Sequence, residues 1–180
     1  MAIVGTLIEG KYEILKMVGK GGMSEVYLAM DKNLNKQWAV KEIKKRARDK
    51  NNEVVVQSAI AEANMMKKLD HPCLPRIVDI IDKEDVIYVV MDYIEGEPLS
   101  KVLERNGAQP QETVIEWAQD LCGVLDYLHT QKPPIIYRDM KPGNIMLQPN
   151  GNIKLIDFGI AREYKEHNLE DTVSVGTKGY

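Results

Sequence analysis

Apolar and polar positions change their period twice along this chain. Over the first third they come in short runs: "KYEILKMVG" (11–19), "EVYLAMD" (25–31) and "KQWAVKEI" (36–43), separated by "KGGMS" and "KNLNK". Short β-favouring runs broken by Gly, Asn and Ser predict strands of an antiparallel meander. Residues 53–69, "EVVVQSAIAEANMMKKL", take a helical period, with Val55, Ala59, Glu62, Met66 and Leu69 on one face. The two prolines of "DHPCLP" end that helix. "RIVDII" and "VIYVVMDY" then read as two more strands around the turn "DKED". The first part of the chain is therefore expected to hold five strands and one long helix.

The second change comes at "EGEP" (95–98), which reads as a hinge. A short helix, "LSKVLERNG", follows and closes at Gly107. Residues 111–130 give the strongest helical pattern, with Ile115, Ala118, Leu121, Cys122, Leu125 and Leu128 at helical spacing and "KPP" as the stop. "IIYRDMKPGNIML", a turn at "QPNGN" and a strand "IKLIDFG" come next, and the last twenty residues are polar and turn-rich. No internal repeat is visible. The expected division is 1–94 and 95–180.

Composition narrows the function classes. With 44% hydrophobic and 28% charged residues the chain is ordinary for a globular protein. A net charge of −3 gives no global attraction to nucleic acid or anionic membrane. The basic run "KEIKKRARDK" (41–50) is local and reads as a solvated segment. Cys73 and Cys122 lack CxxC spacing, which argues against a zinc site or disulfide framework and fits a reducing compartment. His71, His129 and His167 have no ligand spacing. No window is long and apolar enough to span a bilayer, and the N-terminus does not read as a signal peptide.

Five stretches carry candidate chemistry. Gly19, Gly21 and Gly22 lie between two strand patterns, where glycines offer backbone N–H groups to phosphate oxygens or simply make a tight turn. A strand–loop–strand setting speaks against the dinucleotide and P-loop motifs, which need a helix N-terminus. Lys41 shares a strand face with Ala39 and, if inward, needs an anionic partner. Glu62 shares a helical face with Ala59, Met66 and Leu69 and would supply it. In "YRDMKPGN", Asp139 can accept or orient a hydroxyl proton, Lys141 can neutralise a phosphoryl group, and Asn144 offers an oxygen to a hard cation. Asp157 in "IDFG" is a second oxygen donor, and two such oxygens plus phosphates suit magnesium.

In order, Gly19-x-Gly21-x-x-Ser24-x-Val26, Ala39-Val40-Lys41, Glu62, Tyr137-Arg138-Asp139 with Lys141 and Asn144, and Asp157-Phe158-Gly159 resemble the eukaryotic-type protein kinases, most closely the bacterial serine/threonine members. The resemblance covers nearly the whole chain. It implies an α+β fold: a five-stranded antiparallel N-lobe with one long helix, then a partial, mainly helical C-lobe. It also implies ATP and Mg2+ as cofactors and a protein as substrate. The loop from Gly19 to Val26, with Gly22 and Ser24, would cover the phosphates. Lys41 would hold the α- and β-phosphates and pair with Glu62. Asp139 would be the catalytic base, Lys141 would steady the γ-phosphate, and Asn144 and Asp157 would bind the metal. Met91 would be the gatekeeper of a hinge at Met91–Ile94, with backbone groups of Asp92 and Ile94 bonding adenine. Val18, Val26, Ala39 and Met146 would sandwich the ring. Met66, Ile77, Tyr137 and Phe158 match the family's hydrophobic column.

The sequence departs from the family pattern in three places. Ser24 replaces the third loop glycine and Tyr137 the usual His. The sequence ends at "VGTKGY", before the expected Ala-Pro-Glu motif, which implies a chain cut within the activation segment. An apolar face of the 111–130 helix is then expected to be exposed or covered by a second copy, through dimerisation or a domain swap. Thr172 and Ser174 are candidate phosphorylation sites whose phosphate could pair with Arg138. The expected location is cytoplasmic, with room for a membrane anchor beyond residue 180. A nucleotide-binding pseudokinase or a small-molecule kinase of related fold are the alternatives.

Overall fold

The first unit of the chain, residues 1–69 and 76–93, is built on one sheet. In the computed structural model, residues 3–20, 24–45, 57, 60–61, 63–156 and 162–163 are described. Strands β1 (Leu7–Ile8), β2 (Tyr12–Lys20), β3 (Ser24–Asp31), β4 (Lys36–Lys44), β5 (Ile77–Asp82) and β6 (Val86–Asp92) lie in the order β1-β2-β3-β4-β6-β5, each pair antiparallel. The five expected strands are all present, and the two-residue β1 makes a sixth. The reading missed β1 because "LI" is too short to show a period.

Alternation along β4 sorts its side chains onto two faces. Trp38 and Val40 join a buried cluster with Ile8, Tyr12, Ile14, Tyr27, Ala29, Ile81, Tyr88 and Val90. Burying side chains of this size stabilises by about 1.5–3 kcal/mol each. Ala39, Lys41 and Ile43 occupy the other face. Two polar links join distant strands: Tyr12 Oη donates to Asp79 Oδ2 at 3.2 Å, and Lys83 pairs with Glu9 at 2.6 Å. Both connect the β1–β2 end of the sheet to the β5 end, so the sheet curls around its aromatic cluster. The β3–β4 turn is tied by Asp31, whose fully buried carboxylate accepts from the Asn33 and Leu34 amides at 2.8 and 3.1 Å. Burial opposes its ionisation, but these amides and Lys11 outweigh burial and hold the carboxyl below its usual range.

The helix expected over 53–69 is described only in part: residues 57, 60–61 and 63–66 are helical. Ala63, Met65, Met66 and Leu69 are buried there.

The second unit takes residues 70–75 together with 94–180. Its early segment is tied by four contacts. The Leu155 amide donates to Cys73 O at 2.8 Å, and Lys154 Nζ to Pro72 O at 2.7 Å. The Asp70 amide donates to Tyr127 Oη at 2.9 Å, and the His71 and Tyr127 rings lie 5.1 Å apart. Strand β7 (Glu97–Pro98) leads into helix α1 (Leu99–Asn106), which buries Leu99 and Val102 and ends where the Gly107 amide donates to Leu103 O at 2.8 Å. Helix α2 (Gln111–His129) follows. Strand β8 (Ile135–Ile136) pairs with β11 (Arg162–Glu163), and β9 (Ile145–Leu147) and β10 (Ile153–Leu155) join β7 in the order β10-β9-β7. Gly96 has φ +138°, and a Cβ there would sit 2.1 Å from Leu147 O, so only glycine lets β7 approach β9.

The apolar positions read along α2 divide between two faces. Trp117, Val124 and Leu128 are buried, whereas Ile115 is 47% exposed and Ala118 and Cys122 are also exposed. The helix carries two apolar stripes, and helical spacing alone does not rank them. The stripe with the bulky Trp117 packs inward, with Leu121 and Leu125 half-buried beside it.

Candidate active site

Strand register assembles the first group of residues. Gly19 lies opposite Val26, Val26 opposite Lys41, and Lys41 opposite Val89. One step along, Leu28, Ala39, Met91 and Ile77 form a second row. Directly paired residues share a face. Val26, Ala39, Lys41 and Met91 therefore share one sheet surface, the one away from the aromatic cluster. A small, largely apolar pocket opens on it, lined by Lys41, Ile43, Ala63, Met66, Ile77, Val89 and Met91. Among the described lining residues Lys41 is the charged one, and it is half-buried. A cation on an apolar wall suits a ligand with an anionic end and an apolar body.

The remaining residues of this group lie at strand ends or at a register shift. Ser24 opens β3 opposite Ile43. Val18 falls where the β2–β3 register slips between Met17 and Gly19, and it is 43% exposed. Asp92 ends β6, its carboxylate held by Arg76, which donates from Nε at 3.0 Å and from Nη2 at 3.2 Å. Burial resists ionisation of Asp92, but these bonds and the Arg76 amide outweigh it and keep the carboxyl below its usual range.

The second group lies in the loop between β8 and β9. Lys141 Nζ donates to Asp139 Oδ2 at 2.7 Å, and Asn144 Nδ2 donates to the same oxygen at 2.8 Å. Asn144 Nδ2 also reaches the Asp139 main-chain oxygen at 2.9 Å. Asn144 is buried in the 3₁₀ turn Pro142–Asn144, where Pro142 pre-sets the backbone. With its amide nitrogen committed to Asp139, Asn144 has its carbonyl oxygen as the group a hard cation would take. Tyr137, 7% exposed, donates from Oη to Ile156 O at 2.9 Å, and the Ile156 amide donates to Asn144 O at 2.8 Å. The residue just before Asp157 is thus gripped from both sides by this loop. Met146 is half-buried on β9, paired with Pro98 and Lys154, and Ile94 is half-buried after β6.

Gly21, Gly22, Glu62, Asp157, Phe158, Thr172 and Ser174 lie outside the described residues. Arg76 and the paired Ile156 were not singled out from sequence. Arg76 shows no local signal, because its partner is sixteen residues away on a neighbouring strand. Tyr137 was noted as a replacement for His and as a member of the hydrophobic column, and its hydroxyl bond to Ile156 becomes visible only in three dimensions.

Comparison with known proteins identifies the family. The chain is 36% identical to a probable serine/threonine-protein kinase of Clostridium perfringens, over 96% of this chain and 25% of that protein. It is 34% identical to serine/threonine-protein kinase PrkC of Bacillus subtilis, over 96% of this chain and 26% of that protein. It is 36% identical to serine/threonine-protein kinase 36 of Mus musculus, over 94% of this chain and 12% of that protein. The chain thus spans about a quarter of the length of the bacterial relatives it matches. The protein kinase domain family matches residues 12–180, and the chain belongs to that family.

Proposed function

We propose that this chain provides the nucleotide-binding and phosphoryl-transfer residues of an ATP- and Mg2+-dependent serine/threonine protein kinase. The observation that carries the reading is the double grip on Asp139 Oδ2 by Lys141 and Asn144. A carboxylate fixed in this way can orient a substrate hydroxyl and receive its proton as that oxygen bonds to the γ-phosphorus. The bond from that phosphorus to the β–γ bridging oxygen breaks, and ADP leaves. Lys141 then neutralises phosphoryl charge. Lys41 would hold the α- and β-phosphates, and Met91, Asp92, Ile94, Val18, Val26, Ala39 and Met146 would hold the base. Asn144 and Asp157 would hold magnesium, which supplies charge neutralisation at the phosphates.

Replacing Asp139 by Asn in the intact protein tests this directly. Transfer to a serine- or threonine-bearing protein should fall by about 10²–10⁴-fold, the contribution of a positioned general base. The ATP-dependent rise in Tm should persist. Transfer at the wild-type rate would refute the assignment, and binding without transfer in the wild type would mark a nucleotide-binding scaffold.

Three finer readings belong to the same proposal. Thr172 and Ser174 are phosphorylated when the protein is incubated with ATP and magnesium, which phosphopeptide mapping checks. Self-association, as a dimer or a domain swap, uses the exposed stripe of α2, where Val114 and Ile115 are each 47% exposed. A cytoplasmic location fits two free thiols, and among the described residues no helix is long and apolar enough to cross a membrane.

A further inference from the structure

Arg76 and Asp92 are joined by four hydrogen bonds. The Asp92 amide donates to Arg76 O at 3.0 Å. In return, the Arg76 amide donates to Asp92 Oδ2 at 3.1 Å, Nε to the same oxygen at 3.0 Å, and Nη2 to Oδ1 at 3.2 Å. Lys36 Nζ stands 3.9 Å from Asp92 Oδ1 and 4.0 Å from the centre of the Trp38 ring, and Trp38 is the cross-strand partner of Asp92. The Asp92 side chain is 17% exposed, the Arg76 side chain 59%.

An exposed ion pair alone contributes little to stability. This one differs in geometry: it is a fork on a mostly buried carboxylate, and one main-chain bond, from the Asp92 amide to Arg76 O, joins the same two residues. Asp92 is therefore pinned by both its amide hydrogen and its side chain. A residue held at both points directs its own carbonyl, which begins the next peptide, along one line. We infer that Arg76 is a positioning residue for the nucleotide base: through Asp92 it fixes the main chain that bonds adenine. The inference rests on the kinase reading above, and it adds a residue that touches neither nucleotide nor substrate.

The test uses Arg76→Ala and Arg76→Lys in the intact protein, with Lys83→Ala, which breaks the Glu9 pair elsewhere in the sheet, as control. Adenosine affinity by calorimetry, KM for ATP, kcat and Tm are measured for each. Loss of one charge-assisted clamp on a binding group should raise the ATP KM of Arg76→Ala by about fivefold to tenfold. Adenosine affinity should weaken in parallel, kcat should stay within about twofold, and Arg76→Lys, which keeps charge without the fork, should lie between. Lys83→Ala should leave KM unchanged. A folded Arg76→Ala with wild-type KM and adenosine affinity overturns the inference alone. So does a loss of kcat that only tracks a fall in Tm, since the clamp is then purely structural. A wild type that binds neither adenosine nor ATP overturns the kinase reading and the inference with it.

Discussion

Asn144 holds Asp139 twice, donating from one amide nitrogen to the carboxylate at 2.8 Å and to the main-chain carbonyl at 2.9 Å. The side chain is almost buried, so these bonds have little competition from water. Asn144→Ala should therefore destabilise the protein by about 1–3 kcal/mol, because two hydrogen bonds to Asp139, one of them to a charged group, are lost. Asn144→Asp should do worse in transfer, because it replaces the donor by a second carboxylate beside Asp139 Oδ2. Denaturant midpoints and phosphate incorporation read the two effects separately. An Asn144→Asp variant with full transfer would contradict this geometry.

The aromatic cluster of the first sheet predicts alkaline sensitivity. Burial, and then the hydroxyl's 2.8 Å bond to Glu25, push the Tyr27 phenol above its ordinary value of 10.0. Burial likewise raises Tyr12 and Tyr88. The unfolded chain loses these protons first as pH rises. Their contribution is thus fully present below 10.0 and is lost progressively above it. The urea midpoint should fall as pH is taken past that value, and less steeply for Tyr27→Phe. A midpoint indifferent to pH in that range would show that the phenols titrate normally.

Gly96 makes a sharp backbone prediction. With φ +138° and Leu147 O only 2.1 Å from an added Cβ, Gly96→Ala combines a strained conformation with a clash against main chain. Strain of this kind alone costs about 1–3 kcal/mol, and the clash adds to it. A loss of stability should appear in thermal unfolding, and a neutral Gly96→Ala would mean that β7 does not approach β9 this closely.

The two stripes of α2 can be told apart by substitution. Trp117→Ala should cost about 3–5 kcal/mol, as expected for removing a buried aromatic. Ile115→Ala, at a position 47% exposed in the monomer, should stay within about 0.5 kcal/mol in dilute solution. Sedimentation at rising concentration adds the decisive contrast: if a second copy covers Ile115, its removal weakens association without changing monomer stability.

Much of this was legible before any coordinates. Strands β2 to β6 declared themselves because each is long enough to show β-rich composition between turn residues. Asp139, Lys141 and Asn144 were legible because they lie within six consecutive residues, so local spacing carries their proximity. The stripe of α2 that packs was not legible, since both stripes satisfy a helical period and only the partner surface decides between them. Arg76 was invisible for a related reason: its meaning comes from strand pairing between β5 and β6, and sequence spacing does not encode that pairing.

The six residues 70–75 belong with the second unit although the chain returns to the first one afterwards. A protein engineer who cut after residue 93 to isolate the leading unit would strand that segment, because Tyr127, Lys154 and Leu155, which bond to it, would be discarded. Two polypeptides made by such a cut would each be missing something the other holds, and co-expressing them should give residues 70–75 back the partners that the cut removed.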